Sequence, residues 1–337
     1  MKKVYVTRPI PEPGISLLKE AGYEVEINTE DRVLTADELK SKIVGADAIL
    51  SLLTDKITPE VLESAGNNLK IVANYAVGFD NIDLEAAATK NVAVTNTPGV
   101  LTEAVAEHSL ALIMAVARKI VEADKYVRDG KYKQWEPGLL VGEEMFGKTI
   151  GIVGMGRIGS YLAKICAAGL EMKVLYQDMM RNDLMEGEFG IQKVELDQLV
   201  RESDIISVHT PLTDETKHLI DEEEFAAMKP NAIFINTSRG PVVSEAALIN
   251  ALKSGKIAGA GIDVFEFEPE ISLELMSVPN LVMTPHIASA TTKARQSMSE
   301  IAAKNIIAVL SGENDSTCKQ LHPHQSPISL HRLRGFF

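Results

Sequence analysis

Short apolar runs rich in β-branched residues recur through the first hundred positions, at KVYVT, YEVEI, ADAILSL, KIVAN and VAVTN. Stretches with helical patterning separate them, and two helix starts are marked. Thr35 and Glu38 have the spacing of a capping box, and Thr58 followed by Pro59 pairs an N-cap with a proline in the first turn. Five β/α repeats with short connections predict a parallel sheet covered by helices on both faces. A long apolar helix is expected from about Leu101 to Lys119. An irregular arm follows, VRDGKYKQWEPGLLVGEEMFGK, carrying Trp135, the only tryptophan. A second series, TIGIVG, KVLYQD, DIISVHT, AIFINTS, AGAGIDV and NLVMTPH, predicts another doubly wound parallel sheet of the α/β class. The last helical pattern, TTKARQSMSEIAAKNIIAVLSG, follows the final strand and is expected to cross back to the first sheet. Two chain crossings would then form a hinge with an interdomain cleft.

Composition narrows the function classes. With 337 residues, 45% of them hydrophobic and 24% charged, the chain has the makings of two ordinary soluble domains. A net charge of −13 without a run of Lys or Arg argues against nucleic acid or an anionic membrane as the main partner. An anionic small molecule would need a local site built from a few Arg side chains and backbone N–H groups. Cys166 and Cys318 differ in context and form no disulfide framework, which points to a reducing compartment. No apolar stretch of signal-peptide length follows the N-terminal lysines, and AVAEHSLALIMAVARKI is interrupted by Glu107, His108 and Arg118. A cytoplasmic location is expected. His322, His324 and His331 crowd the last residues without metal-ligand spacing, so no metal is expected and 315–337 is read as a disordered tail.

The segment GIVGMGRIGSYLAKI holds Gly154, Gly156 and Gly159 in the spacing G-x-G-x-x-G, after an apolar strand and at the opening of a helix through Arg157 and Ile158. Glycines there permit a tight turn and close approach to a pyrophosphate, and the helix N-terminus presents N–H groups to it. Asp178 ends the next strand 19 residues after Gly159. It would accept from adenine-ribose hydroxyls and repel a 2′-phosphate, favouring NAD over NADP; Arg181 acts in the opposite sense.

Reducing a 2-keto acid by hydride transfer requires a cation for the carboxylate, a proton donor at the carbonyl oxygen and a group that tunes the donor. Three segments at predicted strand ends offer these: INTSRG presents Arg239, GIDVFEFEP presents Asp263, Glu266 and Glu268, and VMTPHIASAT presents His286. Each alone has an ordinary structural reading; together, beyond a dinucleotide motif, they form a candidate constellation along one sheet edge.

The order GIVGMGRIG, HTPL, INTSRG, AGAGIDVFEFEP, TPHIASAT resembles the D-isomer-specific 2-hydroxyacid dehydrogenase family. ANYAVGFDNID and TNTPGVLTEAVAEHSLAL are most similar to its glyoxylate and hydroxypyruvate reductase branch. The resemblance covers residues 1 to about 312. It implies a flavodoxin-like substrate domain of residues 1–99 and 288–314 and a Rossmann NAD-binding domain of residues 100–287 with a dimerisation arm. By the same resemblance Arg239 would bind the substrate carboxylate, His286 would be the acid and base, and Glu268 would orient the imidazole and keep it protonated. The N–H groups of Val77 and Gly78 would grip the carboxylate, Leu53 would close over the substrate side chain, and Tyr75 and Trp135 would shape the pocket. Asp263 would accept from the nicotinamide amide. Thr210 and Pro211 would line the cofactor cleft beside His209, Thr102 would approach the nicotinamide, and Thr237, Ser238 and Ala288 would complete the cofactor contacts. A homodimer is implied. Two alternatives remain open: a D-lactate dehydrogenase acting on pyruvate or phenylpyruvate, and a non-catalytic NAD-sensing protein like the corepressors that resemble this family. One methylene in such a pocket is worth only ~1–3 kcal/mol, so the substrate is not fixed by these residues.

Overall fold

Runs such as AILS and IISV offer no charged side chain to either face, the pattern of strands covered on both sides. They become the middle of two parallel sheets in the computed structural model, which describes residues 1–312 and Leu321. The chain divides into two compact units, Met1–Leu101 with the chain from Ala290 onward, and Thr102–Ser289.

The first unit contains β1 (Lys3–Val6), β2 (Glu24–Ile27), β3 (Ala48–Ser51), β4 (Ile71–Asn74) and β5 (Ala93–Thr95), all parallel, in the order β2-β1-β3-β4-β5. The edge strand β2 alternates exposed and half-buried residues, while β3 and β4 are buried throughout. Thr35 and Glu38 do form a reciprocal capping box, and Thr58 caps the Pro59–Ser64 helix. The Thr292–Ser311 helix packs against the Glu12–Glu20 helix and β4, where the Gly14 N–H donates to Ser299 Oγ at 3.2 Å. Tyr5, Ile43, Ile49, Leu62, Val72 and Val94 fill one core, and Leu321 joins it with its N–H on Val94 O. The rest of the segment read as a disordered tail, with Cys318 and the three histidines, lies outside the described residues.

The second unit holds β6 (Thr149–Val153), β7 (Lys173–Gln177), β8 (Gln192–Lys193), β9 (Ile205–Val208), β10 (Ile233–Asn236), β11 (Gly259–Ile262) and β12 (Leu281–Met283). The order is β12-β11-β10-β9-β6-β7-β8, again parallel. The chain winds one way from β6 to β7 and the other way from β6 to β9, so β6 and β9 flank the switch point where open α/β sheets receive ligands. Cys166 is fully buried among Ile150, Ile152 and Leu162, and burial pushes its thiol up to about 12, so it serves as packing.

Two features depart from the sequence reading. β8 is only two residues at a sheet edge, too short to carry a period. The long helix ends at Ala117, because Lys119 takes a left-handed backbone (φ +51°), and a separate helix runs Ile120–Arg128. Pairs of Lys125 with Asp129 and Arg128 with Asp124 line that second helix, so the irregular arm starts after it.

Candidate active site

Gly154 follows β6 with φ +95°, and a Cβ there would stand 2.9 Å from His209 C, so only glycine lets the β6 and β9 ends approach this closely. A Cβ on Gly159 would lie 2.1 Å from Gly154 O. The Arg157–Leu170 helix begins at Gly156 with no side-chain cap, leaving first-turn N–H groups and the positive end of the helix dipole for an anion. Nearby, the buried Thr210 Oγ1 lacks a protein partner. This set fits the pyrophosphate and adjoining hydroxyls of a dinucleotide.

Asp178 follows β7 and closes over the glycine turn: Met155 N–H donates to Oδ2 at 2.7 Å and Met180 N–H to Oδ1 at 3.0 Å. Arg181 is drawn away by Glu186, with Asp183 at 3.8 Å. After β9, His209 Nε2 shares a hydrogen bond with Ser207 Oγ at 2.8 Å, and burial pulls its imidazole down to about 4, leaving it neutral. Pro211 O accepts from Thr216 Oγ1 at 2.6 Å. Thr102 is the half-buried first residue of the Thr102–Ala117 helix.

Arg239, Glu268 and His286 follow β10, β11 and β12, three neighbouring strands, and so reach one carboxyl edge. Asn236 shapes the first loop: its Oδ1 accepts from Ser238 N and Oγ, and its Nδ2 donates to Arg239 O at 3.0 Å. In the second, the Phe265 N–H donates to Glu268 Oε1 at 2.9 Å, while Oε2 receives His286 Nδ1 at 2.9 Å. Burial alone would raise the Glu268 carboxyl. The His286 hydrogen bond and charge, the Phe265 N–H and the Arg239 charge outweigh it and hold the carboxyl below its usual range. An ionised Glu268 only accepts, so Nδ1 carries the proton and Nε2 is left for chemistry.

His286 itself sits at φ +54°, a left-handed position for a non-glycine residue. Its loop is clamped by Asp263, which is fully buried. Asp263 takes Ile287 N–H and Ala288 N–H at 2.8 Å each and the Thr284 hydroxyl at 2.6 Å, while its backbone O accepts from His286 N. Three donors already occupy the carboxylate expected to meet a nicotinamide amide; a carboxylate accepts about four. Thr237, ahead of Ser238, is bonded to Ser109 at 2.8 Å.

In the first unit, Leu53 is half-buried beyond β3, and the β4 loop is held by asparagines, with Asn74 Nδ2 donating to Gly78 O at 2.9 Å. Thr97 N–H donates to Ala76 O at 2.9 Å and Asn96 Nδ2 to Val77 O at 2.7 Å. A trans peptide opposes its C=O and N–H, so these two anchors turn the N–H groups of Val77 and Gly78 the other way, as an anion cradle requires. The Tyr75 hydroxyl donates to Arg295 O at 2.6 Å within the unit, and the ring is 4% exposed. The sequence reading missed Asn74, Asn96 and Asn236; their one signal is an asparagine at or just past a strand end.

Residues 110–288 match the family described as D-isomer specific 2-hydroxyacid dehydrogenase, NAD binding domain. A glyoxylate reductase of Thermococcus litoralis is 51% identical over 315 residues, 92% of this chain and 94% of the relative. A Thermus thermophilus crystal structure aligns with a TM-score of 0.87 at 43% identity, covering 92% of this chain and 97% of that one. D-Lactate dehydrogenase of Aquifex aeolicus, solved with NAD and lactic acid, aligns with a TM-score of 0.80 at 31% identity over 93% and 96%. The chain belongs to the D-isomer-specific 2-hydroxyacid dehydrogenase family and is an NAD-dependent dehydrogenase.

Proposed function

We propose that the chain reduces small 2-keto acids with NADH, glyoxylate and hydroxypyruvate foremost, to 2-hydroxy acids, of the D configuration where the product is chiral. The observation that carries this is the Glu268–His286 pair at 2.9 Å, one strand away from Arg239. A bound dihydronicotinamide supplies the hydride to the carbonyl carbon. Arg239 pairs with the carboxylate in a fork geometry and orients the carbonyl. His286 Nε2 gives its proton to the carbonyl oxygen, and solvent restores it; in the reverse direction the same nitrogen takes the proton. Glu268 stabilises the imidazolium and fixes the ring. Leu53 and the N–H groups of Val77 and Gly78 are assigned to substrate recognition.

The dinucleotide is held by the Gly154–Gly159 turn, the start of the Arg157–Leu170 helix and Thr210. Asp178 at the β7 end, with Arg181 engaged by Glu186, favours NADH over NADPH. A glyoxylate reductase at 51% identity, against 31% for the lactate dehydrogenase, supports glyoxylate over pyruvate. Exposed Ile120, Val121 and Val127 on the Ile120–Arg128 helix, with Tyr132 and Trp135 in the arm, support a homodimer through this helix and the arm. Replacing His286 by Ala should lower kcat by about 10²–10⁴-fold while NADH still binds. Loss of NADH binding, or full turnover, would overturn the assignment.

A further inference from the structure

The Thr102–Ala117 helix is apolar along most of its length, yet two adjacent polar residues, His108 and Ser109, reach the β10 and β12 loops. Ser109 is fully buried, and its hydroxyl donates to Val105 O at 2.8 Å. Having one proton, it must accept from Thr237 Oγ1, 2.8 Å away. His108 Nε2 lies 2.9 Å from Thr284 Oγ1, whose own proton goes to Asp263 Oδ1 at 2.6 Å. His108 therefore donates, and a directed chain runs from His108 through Thr284 to the buried carboxylate that clamps Ile287 and Ala288. Thr237 stands two residues before Arg239, and Thr284 two residues before His286. One dipeptide of one helix thus holds both loops two residues before the side chains given the catalytic roles.

We propose that His108 and Ser109 are a positioning pair: His108, through Thr284 and Asp263, fixes the left-handed turn that aims His286, and Ser109, through Thr237, fixes the loop that aims Arg239. Neither touches substrate; each acts through another residue. The inference rests on the roles given to Arg239 and His286 above. It also explains how a histidine is kept at φ +54°, a conformation that persists only where the surroundings over-determine it. The Thr284 hydroxyl is the link that Val at the same volume cannot supply.

The two arms predict opposite kinetic signatures. His108→Leu and Thr284→Val disturb the proton donor, so kcat should fall about tenfold to a hundredfold with KM for glyoxylate little changed. Ser109→Ala disturbs the carboxylate-binding loop, so KM should rise about tenfold with the smaller change in kcat. His108→Gln, which keeps a donor near Nε2, and Thr284→Ser, which keeps the hydroxyl, should recover most of the loss. The Thr284 pair is nearly isosteric and serves even if a His108 variant folds poorly. NADH affinity, read by fluorescence titration, should change less than the kinetic constants throughout. Parent-like kcat in both His108→Leu and Thr284→Val would overturn the proposal, as would an equal loss in Thr284→Ser and Thr284→Val. His286→Ala separates the two levels. If it retains turnover, the acid–base reading fails; if it is inactive while the Thr284 and His108 variants match the parent, only the positioning fails.

Discussion

At the residue scale the decisive feature is the ionised Glu268 beside His286, the proposed proton donor. A carboxyl held below its ordinary range stays charged as pH falls through that range, so the pair persists there and is lost only below it. The acid limb of kcat/KM for reduction should accordingly lie below the ordinary glutamate value of about 4.3. Glu268→Gln removes the carboxylate that accepts from His286 Nδ1. The acid limb set by Glu268 should then vanish, and kcat should fall about tenfold to a hundredfold as ring orientation is lost. A pH–rate profile of Glu268→Gln that superimposes on the parent's would show that Glu268 neither sets the acid limb nor orients His286. His209 is the contrast: its burial without a carboxylate leaves it neutral, so it adds no charge beside the glycine turn.

At the scale of elements, the glycine turn and the strand ends carry the proposed ligand contacts. Gly159 meets Gly154 O so closely that an added methyl forces the helix from the strand. Gly159→Ala should cost about 1–3 kcal/mol of stability by overpacking and weaken NADH binding, read by thermal unfolding and fluorescence titration. Unchanged affinity would remove the turn from the dinucleotide site. Eleven of the twelve strands among the described residues were legible because β-branched apolar runs between capped helices leave little choice of state; the two-residue β8 has no such run. The break at Lys119 was not legible, because a left-handed lysine inside a continuous helical pattern has no sequence signature. Placing Arg239, Glu268 and His286 on one edge followed from their spacing and strand order, since parallel connections return each strand to the same side. The asparagines that turn the peptides, and the Asp263 clamp, depend on contacts between loops remote in sequence and could not be read in advance.

On the scale of the molecule, two units with separate cores are built from one chain, the last long helix packing on elements formed some 280 residues earlier in the first unit. The arm after Arg128 buries little of its own apolar content: Trp135 is 77% exposed and Val141 64%. Trp135→Lys should shift the protein toward a monomer in sedimentation velocity by placing a charge in the proposed contact; unchanged sedimentation of a dimeric parent would place the contact elsewhere. No helix among the described residues is long and apolar enough to cross a membrane.

The most direct test is steady-state oxidation of NADH, and of NADPH in parallel, with glyoxylate, hydroxypyruvate, pyruvate and phenylpyruvate. The predicted result is the highest kcat/KM with NADH and glyoxylate or hydroxypyruvate, in keeping with Asp178, the engaged Arg181 and the similarity to a glyoxylate reductase. A preference for pyruvate or phenylpyruvate would keep the His286 mechanism and make the protein a lactate-type dehydrogenase. No oxidation with any of the four acids, despite tight NADH binding, would contradict catalysis at this site.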